Sequence, residues 1–206
     1  MVNMPLAHDL LWGMAPAQLP ADAPHWAVVS LVAGQPVVVR RALSDEGLIA
    51  VGVRGLLREQ RLAAFMRVDS IARRVSPEAL CHVDSARDLP VMQALRQLRP
   101  RLDDCGWVWG VSGSVGFELA SGFKAMHTAS DLDLILRAPQ MITRNQACKL
   151  VALFDQAVCR VDMQLQTPFG ALALREWAGG SSRVLLKKAD QACLVIDPWN
   201  PQEQAA

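Results

Sequence analysis

Apolar residues recur along this chain at two different spacings, and the alternation lays out its elements. Residues 20–34 (PADAPHWAVVSLVAG) open on prolines and stop at Gly34, which predicts a helix. PVVVRRA (36–42) and LIAVGVRG (48–55) are β-branched runs separated by the turn-like SDEG, and predict a hairpin. An arginine-rich helix is expected from about Leu57 to Arg74, and another from Pro90 to Leu98. A strand is expected over Trp107 to Val111, then a helix entered through the Gly-Ser turn of GSVGFELASG. SDLDLIL and RVDMQLQTP alternate with a period of two and read as strands, with a helix from Thr143 to Ala157 between them. ALALREW, RVLLKK and CLVID predict three further strands. Helices and strands interleave, so the expected class is α/β or α+β with a mixed sheet. The polar, proline-containing HVDSARDLP predicts a boundary between Leu80 and Pro90, giving an N-terminal α+β module (1–85) and a second domain (86–206).

Composition narrows the class. The chain has 206 residues, about half of them apolar (51%), which is enough for a substantial core in one large or two small domains. Its formal charge of +1 gives no bulk electrostatic case for nucleic acid or a membrane surface. No segment reaches the length of a bilayer span, and MVNMPLAHDLLWGM lacks a basic start followed by a long apolar run, so cytoplasmic residence is the expectation. Cys81, Cys105, Cys148, Cys159 and Cys193 are odd in number and widely spaced, which indicates buried thiols rather than a disulfide framework or a zinc site.

The chemistry concentrates between Gly113 and Gln166. In a strand, residues two apart share a face, so Asp131 and Asp133 point together while Leu132, Leu134 and Leu136 point into a core. Asp162, Gln164 and Gln166 likewise oppose Val161, Met163 and Leu165. If the two strands are neighbours, three carboxylates converge on one polar face. Such groups repel one another unless a cation with oxygen-preferring chemistry lies between them, and magnesium is the natural occupant. Two such ions can activate a hydroxyl and stabilise a leaving pyrophosphate. Gly113 and Gly116 permit close backbone approach, and the free N–H groups of a helix beginning near Ser114 suit the outer phosphates of a triphosphate. A Gly-Ser turn or an Asp-x-Asp alone is a weak signal. Their order, with one helix after the turn and another before the third Asp, is the layout of a metal-dependent nucleotidyltransferase.

Triphosphate charge also calls for cations. Arg54, Arg58 and Arg61 in VGVRGLLREQR, and Lys187 with Lys188, are the candidates. On the helix expected there Arg58 and Arg61 share a face, which a merely solvated helix surface also explains. His8 beside Asp9, and His127 in the loop before the DLD strand, are read as structural or exposed histidines. The six tryptophans are read mainly as core or subunit surface, with Trp109 and Trp177, which flank the motif strands, the candidates for stacking on adenine.

These residues lead to a family. HDLLW, PVVVRRA, VGVRGLLREQR, GSVGFELASG, SDLDLILRAP, RVDMQLQTPFGALALREWA, RVLLKK and DPW, spread over nearly the whole chain, resemble the holo-acyl-carrier-protein synthases of malonate decarboxylase. These are the phosphoribosyl-dephospho-CoA transferases of the nucleotidyltransferase superfamily. The resemblance implies transfer of the phosphoribosyl-dephospho-CoA group from triphosphoribosyl-dephospho-CoA to a serine of the acyl-carrier subunit, with release of pyrophosphate. It implies that Asp131 and Asp133 are the active-site pair. By role, Asp131 and Asp133 then hold magnesium, Asp162 helps hold the ion nearest the nucleophile, and one of the three accepts the serine proton. The spacing from Ser114 to Asp131 exceeds the usual superfamily pattern, so a longer loop is expected around GFKAMHTAS. Spacing and periodicity do not separate a malonate from a citrate lyase system; that choice rests on the resemblance. An ATP-dependent adenylyltransferase and an inactive nucleotide-binding module are the rival readings, and retention of all three carboxylates opposes the second.

Overall fold

The computed structural model describes residues 4–201. Their contacts divide the chain into two compact units: residues up to Ser76 together with Phe117–Ala125, and Pro77–Gly116 together with Met126 onwards. The class is α+β, as expected.

The first unit is built on β1 (Leu10–Trp12), α1 (His25–Val32), β2 (Val37–Val39), β3 (Leu48–Arg54), β4 (Arg61–Arg67) and β5 (Arg73–Val75). The five strands form one antiparallel sheet in the order β4-β3-β2-β1-β5. The hairpin expected from 36–55 is present as β2 and β3. Helix α1 starts only at His25, after Pro24, and ends before Gly34, which takes a positive φ of 78°. Leu11, Val37, Val51, Val53 and Met66 form the core between sheet and helix.

The helix expected from Leu57 to Arg74 is absent, and strands β4 and β5 stand in its place. β4 pairs with β3 from Leu48↔Arg67 to Arg54↔Arg61. Along it Leu62, Ala64 and Met66 turn inward while Arg61, Ala63, Phe65 and Arg67 face solvent, a period of two that packing against β3 enforces over the helical propensity of Arg, Leu, Ala and Met. Arg58 lies in the turn joining the two strands and Arg61 opens β4, so no helical face unites them.

The second unit holds α2 (Pro90–Asp103), β6 (Val108–Val111), the start of α3 (Gly113–Ser121), β7 (Leu132–Arg137), α4 (Arg144–Phe154), β8 (Val161–Thr167), β9 (Gly170–Ala173), α5 (Leu174–Ala178), β10 (Val184–Lys187) and β11 (Ala192–Val195). Its sheet runs β11-β10-β9-β8-β7-β6 and is mixed: only β7 and β8 are parallel, joined through α4. Thr143 caps α4, its hydroxyl accepting from the Gln146 N–H while the Gln146 side chain accepts from the Thr143 N–H. α2 runs past the expected end at Leu98 because Leu95, Leu98 and Leu102 continue one buried stripe through Pro100. ALALREW is not one strand. Leu174 and Trp177, three apart and both buried, need a helical spacing, so the chain turns from β9 into α5.

Candidate active site

Strands β7 and β8 place the three aspartates. Asp131 immediately precedes β7, and Asp133 is its second residue. Asp162 is the second residue of β8, and in the parallel register Asp133 and Asp162 are direct partners. Leu132, Leu134 and Leu136 are buried on the opposite face, as are Val161, Met163 and Leu165. The alternation therefore does what the sequence implies. One carboxylate oxygen from each of Asp131, Asp133 and Asp162 lies within 4.8 Å of the others, and all three residues are half-buried.

The polar face is short. Ile135 shares it with Asp133 yet is fully buried. A Cβ at its partner Gly110 would come within 2.7 Å of Pro77 and Glu78, so the Pro77–Leu80 turn covers the sheet there. Only the N-terminal ends of β7 and β8 carry the open acidic cluster.

The Gly-Ser turn abuts it. Gly113 opens α3 with φ +62°, and a Cβ there would fall 1.9 Å from the Asp133 Oδ2. Only glycine allows this backbone to lie against that carboxylate. Ser112, buried just before it, donates both its N–H (2.9 Å) and its hydroxyl (3.3 Å) to the Asp133 carbonyl. This fixes the turn to β7. Ser114 follows, half-buried on the first helical turn. Gly116 is required by packing, since a Cβ would lie 2.6 Å from the Val111 carbonyl.

One member of the site escaped the sequence reading. Arg160 donates from Nε to the Asp162 Oδ2 (2.9 Å) and from Nη2 to Oδ1 (3.2 Å). Its signal was the R-V-D spacing: a basic residue two before an aspartate in a strand shares its face. Cys159, next to it, has its thiol pushed up by burial first and by the negative charge of Asp131 second.

The other candidates lie on other elements. Arg54 ends β3, with its guanidinium 5.2 Å from the centre of the Phe117 ring and one Nη donating to the Ala125 carbonyl at 3.4 Å. Arg58 is exposed in the β3–β4 turn. Arg61 donates to the carbonyls of Gln60 (2.9 Å) and Leu57 (3.3 Å), and burial followed by the charge of Arg58 lowers its pKa. Lys187 pairs with Ala171, which aligns with Gln166 and Arg137. It is thus two strands across and four residues along from Asp162, about 10 Å and about 13 Å respectively. Lys188 follows it in the turn to β11. The structure does not bring this lysine pair to the acidic trio.

Trp109 and Trp177 are core residues, as the main reading of the tryptophans expects, and are not placed for stacking on adenine. Both are buried, and their indole N–H groups donate to the Asp103 carboxylate (3.0 Å) and the Ile142 carbonyl (2.7 Å). Asp9 pairs with Arg74 at 2.7 Å and accepts the Leu6 N–H, a structural role. His127 is exposed, and its Nδ1 accepts the Ala129 N–H. Of the cysteines only Cys81 is buried, its thiol donating to the Trp109 carbonyl and pushed up to about 12 by burial. Cys148 is exposed, against the expectation of buried thiols.

Three carboxylate oxygens gathered at one point, with no nitrogen or sulfur donor among them, fit a hard divalent cation. The helix start at Gly113 adds an anion-favouring terminus beside that position. Cation and anion sites in contact suit a metal-bound phosphate. Among the described residues no helix is long and apolar enough to cross a membrane.

The phosphoribosyl-dephospho-CoA transferase MdcG C-terminal domain matches residues 79–198, and the corresponding N-terminal domain matches residues 6–77. A phosphoribosyl-dephospho-CoA transferase of Pseudomonas fluorescens strain Pf0-1 is 83% identical over 206 residues, covering all of both chains. Those of P. fluorescens strain Pf-5 (63% over 201 residues; 98% of this chain and 97% of that one) and P. aeruginosa PAO1 (53% over 204 residues; 98% and 97%) are also similar. No solved structure matches the chain. With both family domains present in order and relatives aligned end to end, the chain belongs to the MdcG family of phosphoribosyl-dephospho-CoA transferases.

Proposed function

We propose that this enzyme transfers the phosphoribosyl-dephospho-CoA group from triphosphoribosyl-dephospho-CoA to a serine of the acyl-carrier subunit of malonate decarboxylase, in the cytoplasm, releasing pyrophosphate. The observation that supports this best is the in-register pair Asp133 and Asp162, joined by Asp131 and set against the Gly113 helix start. Magnesium, as two ions, would supply charge neutralisation and Lewis acidity to the triphosphate when bound. Asp131 and Asp133 would hold these ions, and Asp162 the one nearer the acceptor hydroxyl. One carboxylate of the trio accepts the serine proton as the new O–P bond forms and the bond to pyrophosphate breaks. The Gly113–Ser114 turn offers N–H groups to the outer phosphates. Arg58, exposed in its turn, remains a candidate phosphate contact; Arg54 and Arg61 already donate to backbone carbonyls. Lys187 and Lys188, far along the sheet from the trio, take no part in this reading.

The test reads the mass of the carrier. The enzyme is incubated with magnesium, the carrier subunit and either triphosphoribosyl-dephospho-CoA or ATP. Only the former is expected to add its group. An adenylyl increment from ATP would establish the adenylyltransferase reading instead, and no increment from either would leave an inactive binding module.

A further inference from the structure

The arginine beside the acidic trio carries an inference that rests on the metal-site reading above. Arg160 meets Asp162 side-on, through both carboxylate oxygens. This uses the fork geometry that serves carboxylate and phosphate equally well. The pair is easily parted: the Arg160 side chain is 73% exposed and that of Asp162 is 34% exposed, so solvent screens their attraction and holding the long side chain forfeits rotamer freedom. The backbone of Arg160 is fixed, since its carbonyl accepts the Leu132 N–H at 2.9 Å and ties it to the mouth of the β7–β8 pair. A guanidinium released from Asp162 therefore stays at the rim of the trio, tethered by its own side chain. A dication held by Asp162 repels it, while a triphosphate brings anionic oxygens to the same place.

We propose that Arg160 is a placeholder cation, neutralising Asp162 in the free enzyme and passing to an anionic phosphate oxygen of the substrate when the trio is loaded. It thus competes with the divalent ion before substrate arrives and binds substrate afterwards.

Manganese(II) binding followed by electron paramagnetic resonance, without substrate, separates this role from a structural one. R160Q is expected to bind manganese at least about five-fold more tightly than wild type, because one repelling charge is gone. The KM for triphosphoribosyl-dephospho-CoA is expected to rise about ten-fold with kcat within about three-fold, as loss of a substrate contact requires. R160K, which keeps the charge without the fork, should fall between the two in both measurements. Unchanged or weaker manganese binding by R160Q would overturn the placeholder role. D133N keeps the two failures distinct: if it binds manganese as wild type does, while circular dichroism shows both folded, the acidic-trio reading itself is lost.

Discussion

Gly113 shows how much a single residue decides. Its φ of +62° is a region where a side chain costs about 1–2 kcal/mol, and the Cβ of an alanine would meet the Asp133 Oδ2 at 1.9 Å. The two effects separate by comparison with Gly122, whose φ is +75° but whose Cβ would meet nothing within 4 Å. G122A should lose about 1–2 kcal/mol in urea unfolding, and G113A more than that, since the clash with Asp133 adds to the backbone strain. Only G113A should slow carrier modification by more than about ten-fold, because only there is a carboxylate displaced by an amount that matters to chemistry. Equal rates for the two variants would deny Asp133 its place in the site. At this scale the trio was legible, since a two-residue period in SDLDLIL and RVDMQLQ commits each aspartate to a face. That Asp133 stands directly beside Asp162 was not, because register is settled by pairing across a helical crossover and not by either strand alone. Arg160 is legible only through its R-V-D spacing, which puts it on the Asp162 face without showing that the two pair.

Among elements, the segment from Leu57 to Arg74 does not read as strands, because its residues favour a helix while its neighbour β3 demands a strand. The pattern Leu62, Ala64, Met66 was visible, but alanines on both faces blur a period of two. α5 shows the reverse: ALALREW begins as a strand and its last residues bury Leu174 and Trp177 at helical spacing. What holds that corner is a side chain from α4. Arg144 donates to the carbonyls of Trp177 (3.0 Å), Gly179 (2.6 Å) and Ser181 (2.8 Å), and its guanidinium lies 4.3 Å from the centre of the Trp177 ring. These carbonyls lie in and just after a five-residue helix too short to be stable by itself, so the clamp fixes the α5–β10 connection against α4. R144A should destabilise the protein by about 2–3 kcal/mol, three charge-assisted bonds and a stacking contact being lost at a partly solvated site. R144K should recover less than half of that, because one ammonium cannot reach three carbonyls in a planar fork. Urea midpoints with unchanged slope are the measure. A lysine variant as stable as wild type would show the corner to be held by packing alone.

On the scale of the whole chain, the two family domains meet near residue 78, yet the contacts do not divide the chain at one point. Phe117–Ala125, the remainder of α3 and the residues after it, belongs with the N-terminal sheet. Gly122–Ala125 open the longer loop expected around GFKAMHTAS; Arg54 of β3 stacks on Phe117 and donates to the Ala125 carbonyl, while the buried Glu118 accepts the Ala125 N–H at 2.7 Å. Composition could not reveal this, since a return of nine residues from a distant part of the sequence leaves no mark in either module's own pattern. The polar segment HVDSARDLP is itself well tied. Arg99 donates to the Cys81 and Val83 carbonyls, Arg96 to Asp84 and Ser85, and Arg87 to the Met126 carbonyl. A division at residue 85 therefore leaves an N-terminal fragment without its returning segment. Residues 1–85 alone are expected to unfold over a broad range without a cooperative step, whereas residues 1–76 joined by a flexible linker to 117–125 should regain a sharp thermal transition by circular dichroism. If 1–85 melted as sharply as the linked form, the returning segment would be a passenger on a module that folds without it. A sharp transition in the linked form alone would make Phe117–Ala125 an integral part of the first unit.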